Sequence, residues 1–547
     1  MSSTEAGNDS DTGASTKASA VAEEFKPSRD FFLAFLALCT LSLAVAFDAT
    51  SLSVALPTIS NALGGTALEA FWSGTSFLLS STVLQPSLAS LSNIFGRKYM
   101  IYISIVMFAA GSLVAAVAGN FTVLIAGRTV QGVGGGGLIA LTEVVVTDLV
   151  PLAHRGQWLS LLSAMWSIGT VCGPLIGAGF AQNVSWRWIF YINLPVIALG
   201  TVFVVFFLRQ NKIPGGVAQK LKRFDAIGSA LFTASMTGFL FGLTTGGVMY
   251  EWSSFRVILP IILGFLGLVV FGWYEFNVAS EPMVNKGLFN NWDMIVSYIT
   301  TVLHAMVLWS ILYFLVLFYQ AVKFYTPVVS AVAALPETLT VAPAGMAVGI
   351  IAGKTGHYRW SIWGGWIIAT LGAGILLLMS PESTVVQWVF INIPIGLGLG
   401  MLFPAMALSI QAACEPALNG QASAFFSFLR GLGQALGVAL SGVVFQNVFR
   451  QKLSELPAFA SVADQFSRDA TIVVSIIAEM GDSPEKTALV QAYSDSLRMI
   501  WVMMIACCAV AMLLGFTVKG YSLNQEHVTE QRLVDRAAAR EKDPEAA

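Results

Sequence analysis

Apolar runs of about twenty residues, separated by short polar breaks, recur from residue 31 almost to the end of the chain. A helix that crosses the hydrocarbon core of a bilayer needs roughly 20 mainly apolar residues. The windows 31–57, 71–95, 99–118, 121–146, 157–181, 188–208, 226–246, 257–277, 294–320, 327–352, 361–380, 386–411, 422–446 and 499–517 have that character. They predict about fourteen transmembrane helices, hence an all-α polytopic membrane protein. Window 257–277 is the least regular, because it closes in a polar stretch that holds Glu275. Residues 1–30 are polar, predict a disordered tail, and show no cleavable leader. Residues 209–223 carry Pro214, Gly215, Gly216 and five basic residues, and predict a linker lying on an anionic leaflet. Residues 447–497 predict the one long external loop.

Composition agrees with this pattern. Of 547 residues, 56% are hydrophobic and 11% charged, where a soluble globular chain carries about 25% charged residues. The net charge of −2 offers nothing to a nucleic acid. Lys and Arg fall unevenly. With the first terminus inside, inner segments hold Arg97, Lys98, Arg155, the basic linker, Lys286, Lys354, Arg359 and the tails; outer loops hold only Arg187, Arg256 and Lys323. Both termini are therefore expected in the cytoplasm. Cys39, Cys172, Cys414, Cys507 and Cys508 lie in or beside apolar runs without ligand spacing, so they read as small buried hydrophobes. No metal and no cofactor are expected.

Two motifs of soluble enzymes occur in the wrong context. Gly132–Gly137 satisfies G-x-G-x-x-G, but it sits within a span and not after a strand, so close helix packing explains it better. Gly349–Thr355 resembles a phosphate loop one residue short, at a span end where Lys354 serves as an anchor. No convergent His, Cys or Asp cluster has catalytic spacing, so an enzyme is not expected.

Other motifs fit a membrane protein. Ala89-Ser-Leu91-Ser-Asn93-Ile-Phe-Gly96-Arg97-Lys98 follows the second span. Gly169, Gly173 and Gly177 recur every four residues around Pro174, giving a smooth and bent helix face. Arg128-Thr-Val-Gln131-Gly132 occupies the fourth span, Trp186–Pro195 opens the sixth, Phe47-Asp48-Ala-Thr50 lies in the first and Arg430–Gly437 in the thirteenth. Together these segments resemble the major facilitator superfamily, and within it the drug:proton antiporter group with fourteen spans and its fungal members that expel toxins. The chain departs from the family's loop signature at Ala89 and Asn93, and Asn93 brings no charge to a latch.

The resemblance implies two six-helix bundles, here 31–208 and 294–517, with the loop 447–497 inside the second. Residues 209–293 would be the linker and an inserted helix pair, and 518–547 a cytoplasmic tail. It also implies a proton-coupled antiporter that exports amphipathic small molecules by alternating access. Such a protein would sit as a monomer in the plasma membrane rather than the vacuolar one. An importer or exchanger of siderophores, amino acids or other metabolites, and a sensor that binds without turnover, remain alternatives.

Charges buried at membrane depth mark functional paths. Asp48 and Arg128 agree in depth within roughly 5 Å at 1.5 Å per residue, so they can pair or share a watery vestibule. Glu337 and Arg430 fall near mid-depth in the second bundle. Asp48 is the first candidate for the coupling proton, with Arg128 tuning it, and Glu337 is the rival. Glu143 and Glu275, near inner span ends, read as anchors, and His304 as a packing residue. Trp166, Trp309, Tyr313 and Gln320 are candidates for the substrate cavity; the last three share one face of the ninth span.

Overall fold

A computed structural model describes residues 25–64, 67–211, 213–247, 249–467 and 470–533. Among them no strand forms beyond two isolated bridges, Gln210 with Leu533 and Gly246 with Tyr250. The long helices are α1 (Arg29–Leu63), α2 (Ala67–Phe95), α3 (Arg97–Ala116), α4 (Phe121–Leu149), α5 (Leu152–Asn183), α6 (Asn193–Phe207), α7 (Ala226–Thr245), α8 (Phe255–Asn277), α9 (Trp292–Ala321), α10 (Leu335–Thr355), α11 (Arg359–Ile375), α12 (Val385–Ala413), α13 (Asn419–Ser454) and α14 (Pro484–Gly515). Their starts follow local rules. Ser28, Asn120 and Ser483 accept from the backbone N–H groups of Phe31, Val123 and Lys486, and Thr384 with Gln387 forms a capping box.

Thirteen helices among the described residues are long and apolar enough to cross a membrane. The expected fourteenth, α2, has the length but not the hydropathy. Its Ser73, Ser76, Ser80, Ser81, Ser87 and Ser92 are buried inside the protein. Hydroxyls such as those of Ser73, Ser80 and Ser92 donate to carbonyls of their own helix, which makes a serine-rich helix tolerable at depth. Two further boundaries differ from expectation. The window 327–352 is broken at Ala334 into a short helix, Pro327–Ala333, and α10. The polar excursion is confined to 455–483, because α13 continues to Ser454 and α14 begins at Pro484.

The helices gather in two groups. In the first, α1 lies against α5 and α6, and α4 against α2 and α3; in the second, α13 and α14 flank α9, while α12 lies against α10 and α11. The pair α7–α8 rests chiefly on α2, with a smaller contact to α13. Leu259, Ile262, Leu263, Leu266, Val269 and Val270 of α8 point outward, as a lipid-facing helix requires. The first and last described segments come together on one face, here the terminal face. There Phe25 lies against His154 with the rings tilted, and Tyr521 donates to Asp293.

Glycines set how closely the helices approach. A methyl group on Gly134 would lie 2.3 Å from the Phe108 nitrogen, and one on Gly136 2.1 Å from the Ser81 carbonyl oxygen. The run Gly132–Gly137 thus seats α4 between α2 and α3, as packing predicts. Between the groups, a methyl group on Gly349 of α10 would lie 2.4 Å from the Gln157 nitrogen, and one on Gly353 2.8 Å from the Ala153 oxygen. The two halves therefore meet backbone to backbone near the terminal face.

Candidate functional site

Asp48 and Arg128 form an ion pair, with Arg128 Nη1 2.5 Å from Asp48 Oδ2. Both are almost fully buried. Gln131 and Asn193 donate to Asp48 Oδ1 at 2.7 and 2.9 Å, and Ser112 accepts from Gln131 at 2.7 Å. Arg128 also donates to the Ser73 carbonyl and Gln131 Oε1, and its guanidinium faces the Phe77 ring at 4.4 Å. Five helices of the first group (α1, α2, α3, α4 and α6) are joined here, and neither charge lines the cavity between the two groups. Of the two arrangements left open by depth, the pair is the one present, and the shared vestibule is not.

The motif glycines have a similar local role. Methyl groups on Gly169, Gly173 and Gly177 would meet Ala46 Cβ at 2.3 Å, Thr50 Oγ1 at 2.0 Å and the Ser51 oxygen at 2.2 Å. Their smooth face is filled by α1 of the same group, where Thr50 also donates to the Gly169 carbonyl at 3.0 Å. Pro174 lies within this helix.

Between the two groups lies a cavity that opens to solvent. Trp166, Trp309, His304, Glu337 and Arg430 border it, together with Phe77, Gln85, Phe403 and a set of Ser and Thr side chains. Glu337 is 0% exposed although it borders the cavity, so the space closes down before water touches its carboxyl group in this conformation. Thr338 donates to Glu337 Oε2 at 2.9 Å, while Oε1 has no hydrogen-bond partner.

Three expectations are corrected here. Arg430 pairs with Glu143, not Glu337, so Glu143 is no interfacial anchor; it joins α4 to α13 across the two groups. It stays buried because a cation reaches it from the other half. Glu275 likewise does not reach the interface: it is 3% exposed and accepts from the Val284 nitrogen at 3.1 Å. Tyr313 and Gln320 do not border the cavity, which on α9 ends at Leu312. Helical spacing gave the correct face for Trp309, but it carries no information on how far the space extends.

At the terminal face, Gly96 has φ +105, a conformation that favours glycine, and it opens α3. Arg97 donates to Asp148 Oδ2 at 3.0 Å and to Ser92 at 2.6 Å, and Lys98 to the Val205 carbonyl. Asp148 thus supplies the charge that Asn93 lacks; Asn93 lines a small space beside Met283 and Gly420. Arg155 donates to Gln411 across the groups at 3.0 Å. Residues 519–533 then cross beneath both groups. Lys519 and Tyr521 bind Asp293, Gln525 the Ala412 carbonyl, Thr529 Asp148, and Gln531 the Arg97 nitrogen. Nothing in the sequence of this polar segment marked it as a strap.

Comparison with known proteins fits this architecture. The family model for the Major Facilitator Superfamily matches residues 38–233 and 217–438. "MFS transporter L2" of Phoma sp. is 47% identical over 524 residues, covering 96% of this chain and 88% of that protein. "MFS-type efflux pump LUC4" of Fusarium sp. is 34% identical over 526 residues, covering 95% and 93%. The acurin A biosynthesis cluster MFS-type transporter of Aspergillus aculeatus is 36% identical over 506 residues, covering 91% of each. Among solved structures, a bacterial homologue of the human lysosomal transporter Spinster shares the fold with a TM-score of 0.55 at 17% identity, covering 90% and 97%. The proton:xylose symporter XylE does so with a TM-score of 0.54 at 12% identity, covering 91% and 98%. The chain belongs to the major facilitator superfamily and is a membrane transporter, not an enzyme.

Proposed function

We propose that this transporter exports amphipathic small molecules in exchange for protons, with the terminal face in the cytoplasm. One observation carries the reading. Glu337 is a carboxyl group in a membrane-spanning helix that borders the space between the two helix groups, and it has no cation among its hydrogen-bond or ion-pair partners. Because no cation fixes its charge, its protonation can follow water as the space opens first to one side and then to the other. Asp48 is different: both of its oxygens are occupied by Arg128, Gln131 and Asn193, so we assign it a positioning role. The order of the two proton carriers is therefore the reverse of that read from the sequence.

Arg430 and Glu143 form a latch between the groups in this reading, and Trp166 and Trp309 offer flat apolar walls to cargo. The names of the fungal relatives, two of them efflux pumps or products of a biosynthesis cluster, support export. The asymmetry of Lys and Arg supports cytoplasmic termini. The proposal takes the protein as a monomer in the plasma membrane.

The test is reconstitution in proteoliposomes with an imposed pH gradient and the amphipathic dye rhodamine 6G as cargo. Glu337→Gln should lose gradient-driven accumulation at least about tenfold, the effect of removing the coupling proton, while keeping exchange of labelled for unlabelled dye. Full gradient-driven accumulation in Glu337→Gln would overturn the assignment. Absence of exchange in the unmodified protein would favour a sensor.

A further inference from the structure

The cavity wall has a property that proton exchange alone does not require. Four polar atoms, from four helices, have no hydrogen-bond partner among the described residues: Gln85 Oε1 on α2, His304 Nδ1 on α9, Glu337 Oε1 on α10 and Ser427 Oγ on α13. The residues are 2, 3, 0 and 2% exposed. Buried polar atoms are nearly always hydrogen-bonded, so four without a partner around one space call for a physical reason.

Three of the four can only accept a hydrogen, whereas the Ser427 hydroxyl can accept or donate. His304 Nε2 lies 2.9 Å from the Leu399 carbonyl oxygen. A carbonyl only accepts, so Nε2 carries the hydrogen and Nδ1 of the neutral ring can only accept. An amide oxygen accepts too, and so does a carboxylate oxygen. Each of these acceptors can take a hydrogen from a bound molecule. Trp166 and Trp309 border the same space, and their apolar rings suit a flat apolar body.

We infer that the cavity selects flat aromatic compounds bearing two or more free hydroxyl or N–H groups. The inference rests on the export reading and supplies it with a coupling rule. A cargo hydroxyl donates to ionised Glu337 Oε1. A proton arriving from the outer side forms an O–H bond on that same oxygen, and the cargo's hydrogen bond is lost. When the proton leaves to water on the inner side, the acceptor is restored. No other bond forms or breaks, and cargo and proton occupy the oxygen in turn.

The experiment measures binding of trihydroxystilbene and of its trimethyl ether to the full chain in lipid nanodiscs, by calorimetry. The triol should bind about tenfold more tightly, as two or more net hydrogen bonds give. His304→Phe and Gln85→Leu should each cut that preference to about threefold or less and leave the ether's affinity in place. Equal binding of triol and ether, or an unchanged preference in both variants, would overturn the subsite. Gradient-driven movement of the two compounds in vesicles separates the two readings. If the ether is carried as well as the triol, the subsite fails and export stands. If the triol is preferred in binding but neither compound responds to the gradient, export fails and the subsite stands.

Discussion

Asp48 and Arg128 show what it takes to keep charge in an apolar setting: each ionised group is given a partner, and each remaining lone pair or hydrogen a neighbour. Removing one partner leaves the other charge buried alone, which costs about 3–5 kcal/mol. Asp48→Ala is therefore expected to lower the melting temperature of the purified protein sharply, read by thermal unfolding in detergent. Asp48→Asn should cost less, because the amide oxygen can still face Arg128; its NH2 group, however, would meet the donors of Gln131 and Asn193. Arg430 and Glu143 allow a second measurement. A double-mutant cycle with Arg430→Gln and Glu143→Gln should show coupling of at least about 1 kcal/mol, as buried pairs in contact do. Values near zero would mean that the latch is not closed in solution. The sequence disclosed which residues were charged at depth. It did not disclose partners: depth arithmetic set Arg430 level with Glu337 and placed Glu143 nearer the inner end of its span, whereas the lateral order of the helices brings Glu143 to Arg430.

At the scale of elements, periodic glycines govern approach, and their use depends on which helix fills the groove. Gly169, Gly173 and Gly177 receive α1 of the same group, whereas Gly349 and Gly353 receive α5 from the other. Side chains at these two sets should act differently. Gly173→Val is expected to weaken folding, because the added atoms meet Thr50 inside one group. Gly349→Leu should leave each group folded but keep them apart at the terminal face. Spin labels at His154→Cys and His357→Cys, in a background without the native cysteines, should report a longer mean distance for Gly349→Leu than for the parent. Gly374→Ala is the control: nothing lies within 4 Å of the added methyl group, and alanine favours a helix by about 1 kcal/mol over glycine. Spacing made each stripe visible in the sequence, but not the helix it receives.

For the molecule as a whole, the terminal face is held by three kinds of contact: backbone approach at Gly349, polar bridges at Arg155 and Arg430, and the strap 519–533. In the proposed export cycle all three must yield. Truncation after Val518 should lengthen the distance between the same spin labels and raise the exchange rate of cargo, and an unchanged distance distribution would show that the strap bears no load. The strap also carries His527, which donates to the Thr147 carbonyl at 3.3 Å. Burial, and next the charge of Arg155, hold this imidazole below its ordinary value, with Arg532 acting in the same direction and Asp148 against. The released strap therefore takes up a proton more readily than the bound one, so its hold should weaken as pH falls through the ordinary imidazole range. The label distance measured at about pH 7.5 and 5 should lengthen at the lower value.

The chain by itself determined the class of protein, the rough positions of the spans, their lipid-facing character and the small set of residues able to carry charge or bend a helix. These are properties of local composition, since every segment in a bilayer must satisfy its own backbone and show lipid an apolar surface. Lateral neighbours are a different matter. Only the tertiary structure decided that Arg430 reaches Glu143, that Asp48 is sealed away while Glu337 borders the cavity, and that the final segment returns to Arg97. The physical reason is that pairing at equal depth is degenerate along the chain, and the shape of the packed helices removes that degeneracy.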